Sequence, residues 1–126
     1  MSMTVQIQLK GMTDLGLFQS AVGSVGGKLS PAPPKEMVRG RPVVAVATIG
    51  SNRLGILRTP NGELALVGDE DWLEMRDPNL KARLRQHYTV AAVRRRAEAL
   101  NYHIAEVEQM ENGSIRVVAR GWRQVI

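Results

Sequence analysis

Residues 43–67 read VVAVATIGSNRLGILRTPNGELALV, and three strands can be read from them. Val43 to Thr48 is almost wholly apolar, as a strand covered on both faces should be. Gly50-Ser51-Asn52 turns the chain into Leu54 to Arg58. Asn61-Gly62 is a two-residue hairpin signal, and in Glu63 to Val67 the apolar Leu64 and Leu66 alternate. The stretch predicts an antiparallel meander.

Upstream, Val5, Ile7 and Leu9 alternate with Gln6, Gln8 and Lys10, the two-residue period of a strand with one buried face. Thr13-Asp14 is a helix-starting pair, followed by Leu15, Phe18, Val22 and Val25 at spacings of three and four. Gly26-Gly27 stops that helix. Its outer face is Ser, Gln and Gly, almost without charge, and is a candidate contact surface. Residues 28–42, KLSPAPPKEMVRGRP, carry four prolines and no periodicity. They predict an extended connection inside one domain of residues 1–126.

Downstream, Gly68 to Trp72 breaks the strand pattern. Asp77-Pro78 reads as a helix start with Asp77 as the cap. Helical periodicity then runs from Asn79 to Asn101, as one helix or as two meeting near His87 to Thr89. Ile104 to Met110, Asn112-Gly113 and Ile115 to Arg120 predict a C-terminal hairpin. The order strand, helix, three strands, helix, two strands predicts an α+β two-layer sandwich. Its mainly antiparallel sheet should carry the helices on one face.

The composition narrows the chemistry. The 126 residues hold 44% hydrophobic and only 4% aromatic side chains, so Val, Leu, Ile, Ala and Met must build the core. With no cysteine there is no disulfide, no thiolate nucleophile and no Cys-based zinc site. The opening residues lack a signal-peptide pattern and no apolar run is long enough to span a bilayer, which predicts a cytoplasmic protein without a membrane partner.

Catalytic constellations are not visible. His87 and His103 have no carboxylate at a spacing that would orient either ring, and no serine sits in a nucleophile-elbow context. Asp69, Glu70, Asp71 and Glu74 lack the alternation of a calcium loop, and Trp72 interrupts them. Gly23-Ser24-Val25-Gly26-Gly27 ends a helix, the wrong polarity for a phosphate cradle. The expectation is a protein that is not an enzyme and has no cofactor or metal.

The charge points to an interaction role instead. The net charge is +5, and all of the excess lies in residues 76–126, which hold ten basic and five acidic residues. Arg94-Arg95-Arg96 is the densest basic run, preceded by Lys81, Arg83 and Arg85. Three consecutive helical residues fan over about 200°, so they cannot all line one groove. Arg85, Arg94, Arg95 and Arg96, with Arg120 and Trp122 near the C-terminus, are the candidate partner-binding residues. A protein partner is expected, with nucleic acid as the alternative; few aromatics are nearby to stack on bases.

Several of these pieces together resemble a known family. They are Thr13-Asp14-Leu15 leading to Gly26, Gly55-Ile56, Asn61-Gly62, Asp71-Trp72 and Tyr88. To these are added Glu106 to Glu108, Asn112-Gly113-Ser114-Ile115-Arg116 and the closing Arg120-Gly121-Trp122. The pattern resembles the ycf-thirty-five-like family, a conserved chloroplast reading frame also found in cyanobacteria and other bacteria. That family has Arg directly before Trp, so Gly121 is a departure that leaves either Arg120 or Arg123 in the equivalent place. The resemblance implies no catalytic residues. It does imply an accessory or adaptor role beside an AAA-type ATPase, since relatives are often encoded near one.

Overall fold

In a computed structural model the residues described are 4–38, 40–69, 71–100, 102–109 and 115–121. The chain folds as β1 (Thr4–Leu9), α1 (Leu15–Ser24), β2 (Lys28–Pro31), β3 (Met37–Val38), β4 (Arg41–Ile49), β5 (Asn52–Arg58) and β6 (Leu64–Asp69). A wide π-type turn at Asp71–Arg76 leads into α2 (Leu80–Ala99), β7 (Tyr102–Gln109) and β8 (Ile115–Gly121). The architecture is α+β: an open, antiparallel six-stranded sheet of order β1-β6-β5-β4-β2, with β3 also paired to β4.

The meander expected from residues 43–67 is present as β4, β5 and β6. Its second turn differs from the expected two-residue loop. A type I′ turn on Asn61-Gly62 needs positive φ at both residues, but only Gly62 has it, at 85°. The Gly62 amide bonds the Thr59 carbonyl at 2.9 Å, and the Thr59 amide bonds the Glu63 carbonyl at 2.7 Å. Pro60 is the cause: its ring holds φ near −65°, the value wanted at the first central position of a type I turn. Glycine then takes the left-handed residue that follows.

The front of the sheet and both helices share one core. Leu9, Leu54, Ile56, Leu64 and Leu66 from the strands meet Phe18, Ala21 and Val22 of α1 and Leu80 and Leu84 of α2. The helices therefore lie on one face, as the pattern predicted. Each large side chain here is completely or almost completely buried, a contribution of roughly 1.5–3 kcal/mol apiece. The back of the sheet carries a smaller cluster of Val43, Val46, Leu57, Ala65 and Val67. β4 supplies both faces, which is why it reads as a continuous apolar run.

The proline-rich stretch is less of a loop than its composition suggests. Lys28–Pro31 pairs with β4 in antiparallel register, Lys28 opposite Thr48 and Pro31 opposite Ala45. Met37–Val38 pairs with Arg41–Pro42, and the Val43 amide bonds the Glu36 carbonyl at 3.0 Å. Ala32 and Val38 pack on the back cluster, and Arg53 bonds Glu36 at 2.8 Å. Pro31 ends an edge strand, where no ladder N–H is lost, so proline does not forbid the pairing.

Two further expectations change. The two strands of the C-terminal hairpin pair, with Glu108 opposite Arg116, the expected Asn112-Gly113 turn lying outside the described residues; they form a separate two-stranded sheet that does not extend the main one. It touches α2 instead; a lone two-stranded ribbon needs such packing to persist. Asp77 does not cap α2. Its carboxylate lies 2.6 Å from the Arg83 guanidinium, a charge-assisted bond in which both partners are ionised. Asn79 takes the cap position without a side-chain bond. α2 is a single helix through His87 to Thr89; the Thr89 hydroxyl donates to the Arg85 carbonyl at 2.8 Å and is satisfied within the helix. Among the described residues no helix is long and apolar enough to cross a membrane.

Candidate interaction site

Asp14 is where the two helices are joined. It is the N-cap of α1, its Oδ1 accepting from the Leu17 amide at 3.0 Å. Its Oδ2 accepts from Arg95 of α2 at 2.8 Å. About two turns earlier on α2 the helix presents Tyr88, whose hydroxyl oxygen accepts from the Thr13 and Asp14 amides at 3.2 and 3.1 Å. The bond from Arg95, then that from the Leu17 amide, holds the Asp14 carboxyl below the usual carboxylate range. The same bond raises Arg95 above the ordinary guanidinium value.

The sequence around α1 makes room for this junction. A Cβ at Gly16 would lie 3.1 Å from Asp14 Oδ1 and 3.4 Å from the Arg95 guanidinium. At the other end, the Gly27 amide bonds the Val22 carbonyl and the Gly26 amide the Gly23 carbonyl, the paired bonds of a Schellman ending. Gly26 supplies the left-handed residue, φ 84°.

Beside the junction the helices leave an open groove of about 380 Å³. Leu17, Val90 and Ala91 give it an apolar part of its lining; Ser20, Ser24, His87, Arg94 and Glu98 line it as well. The almost uncharged face of α1 is thus turned in part toward α2. The Ser20 and Ser24 hydroxyls donate back to the Gly16 and Ser20 carbonyls, at 3.4 and 3.0 Å.

The candidate arginines separate into groups. Arg94 and Arg95 line the groove. Arg95 is committed to Asp14, whereas Arg94 is exposed and makes no hydrogen bond or ion pair with a described residue. Arg96 and Arg85 lie on another flank of α2, eleven residues apart, which returns them to nearly the same angle on the helix. The fan expected of the three consecutive arginines is realised, but helical continuity also aligns Lys81, Arg85 and Arg96 within a sector of about 60°. Arg120 stands in β8 opposite His103, in the separate ribbon. Trp122 lies outside the described residues.

The partners of these arginines were not visible in the sequence. Asp14 is 81 positions from Arg95, and Tyr88 is 74 from Asp14. Their only local signals are a cap residue and an aromatic on a helix. Asp69 accepts from the Trp72 amide at 3.3 Å, a turn bond, and among the described residues no three His, Asp or Glu side chains converge as metal ligands would.

No curated protein and no solved structure matches the chain. A family model does, over residues 36–118, from just before β3 into β8; it includes the arginine-rich helix and leaves out β1, α1 and β2. The chain belongs to the family described as "Protein of unknown function (DUF1257)".

Proposed function

We propose that this protein is a non-enzymatic interaction module, an accessory subunit whose α1–α2 groove receives an acidic segment of a larger protein. The observation that carries this reading is Arg94: a residue lining an open groove, without a described partner, beside a neighbour that has one. A carboxylate from outside would find there the charge-assisted bond that Asp14 already supplies to Arg95. The apolar lining of Leu17, Val90 and Ala91 would take an adjoining hydrocarbon side chain. Membership of the ycf-thirty-five-like group is the finer family assignment we favour, and an AAA-type ATPase in the cytoplasm is the corresponding partner.

The test is recovery of the tagged full chain from its native host, wild type against Arg94→Gln and Arg94→Glu. Loss of a co-purifying protein in both variants, with nuclease without effect and the thermal melt intact, is the expected result. Undiminished recovery would refute the groove. If the retained species is instead nucleic acid, its affinity will fall steeply with salt, and the slope will shrink by about one unit per phosphate contact removed.

A further inference from the structure

We infer that the outward flank of α2, along Arg85, Thr89, Val93, Arg96 and Leu100, is a second docking surface, shaped for an acidic amphipathic helix of a partner protein. This deepens the interaction-module reading and rests on it, but uses a different part of the molecule from the groove.

The argument starts from spacing. Ala82, Arg85, Thr89, Ala92, Arg96 and Ala99 recur at three and four residues, the seam on which a second helix packs. The residues between the cations are small, so a partner helix can approach to the usual 8–10 Å. Thr89 already spends its hydroxyl on the Arg85 carbonyl and asks nothing of a partner. Next to the seam stand Val93, 37% exposed, and Leu100, 52% exposed, two of the large apolar side chains the fold leaves in water.

Charge selects the occupant. Lys81, Arg85 and Arg96 are all exposed, and none makes an ion pair with a described carboxylate. The acids near them are turned elsewhere: Glu98 lines the groove and Asp77 is held by Arg83. Lys81 to Arg85 spans about 6 Å and Arg85 to Arg96 about 16 Å along the axis, one and three turns, which acids on a facing helix can match. A second copy of this chain would set arginine against arginine and is disfavoured by the same charges. Phosphate backbone would satisfy the cations but would gain nothing from Val93 and Leu100. A helix bearing both carboxylates and apolar side chains satisfies both.

The experiment measures binding of the full chain to three probes: a synthetic helix with Glu set to face the arginines and Leu set to face Val93 and Leu100, a scrambled peptide of equal composition, and duplex DNA of arbitrary sequence. The designed helix should bind best. Arg85→Glu with Arg96→Glu, and separately Leu100→Gln, should each weaken it by about tenfold. Arg94→Gln should not, because it touches only the groove. Thermal melts of these variants, all at exposed positions, report whether the fold survives. No binding, equal binding of the scrambled peptide or the DNA, or indifference to Leu100→Gln would overturn the inference. The groove reading is not touched by any of these outcomes; it falls only if the Arg94 variants keep their partner.

Discussion

The guanidinium of Arg95, near the end of α2, lies 2.8 Å from the carboxylate of Asp14, the residue that caps α1. One carboxylate thus starts one helix and ties it to the other. The two duties contribute unequally. The bridge is well exposed, with side chains 56% and 40% accessible, so solvent screens it and removing it should cost little. The cap satisfies an otherwise orphaned amide, and its loss typically costs about 1 kcal/mol. Asp14→Ala should therefore destabilise more than Arg95→Gln in urea unfolding with unchanged m-value. Equal losses would mean that the bridge, not the cap, is the main role of Asp14.

Acid should weaken the fold by a related route. Asp14, held low first by Arg95, Glu36, held low first by Arg53, and Glu63, held low first by the Gly11 amide, all have depressed folded-state values. A depressed carboxylate contributes stability that is full above its unfolded value and lost as pH falls through its folded value. Stability should be flat near neutrality and decline through and below the ordinary carboxylate range. Asp14→Asn should flatten part of that decline; an unchanged pH profile would remove Asp14 from the account.

Two glycines in the sheet region should respond oppositely to a methyl group. At Gly27 a Cβ would stand 2.9 Å from the Thr48 carbonyl oxygen and 2.7 Å from Ile49 Cγ1, and the backbone oxygen cannot swing away. Gly27→Ala should cost about 1–3 kcal/mol, as overpacking usually does. At Gly55 the nearest atoms are the Val43 methyls at 3.8 and 3.9 Å, ordinary contact. Gly55→Ala should be neutral or slightly stabilising, since alanine also restricts the unfolded chain. The melting temperatures of the two variants decide it.

Buried charge should separate the core from its margin. Leu66 is fully buried in the front cluster, so Leu66→Asp buries an unpaired carboxylate and should unfold the protein. Val44 is also in the apolar β4 run, but it is half-buried at a bulge between the Val43 and Ala45 pairings, beside a shallow groove. Val44→Asp should be destabilised yet folded, with a cooperative melt. A melt like that of wild type for Leu66→Asp would contradict the placement of β6.

What the sequence determined by itself is local. Alternation in 64–67, Asp14 before an apolar helical stripe, and Gly26 after it were legible because strand period, cap and left-handed residue act over a few positions. Helix faces followed too: once α2 runs unbroken, 100° per residue places Arg96 with Arg85 and apart from Arg94. The tertiary structure decided what lies beyond that range. β1 pairs with β6, Thr4 opposite Asp69, across most of the front half of the chain. The proline-rich stretch joins the sheet because β4 offers it an open edge, and the C-terminal ribbon stays apart although its alternation resembles that of the other strands. Arg94 and Arg95 look equivalent in sequence. Only the position of α1, set by the burial of Phe18, Ala21 and Val22 in the shared core, brings Asp14 to Arg95 and leaves Arg94 without a described partner.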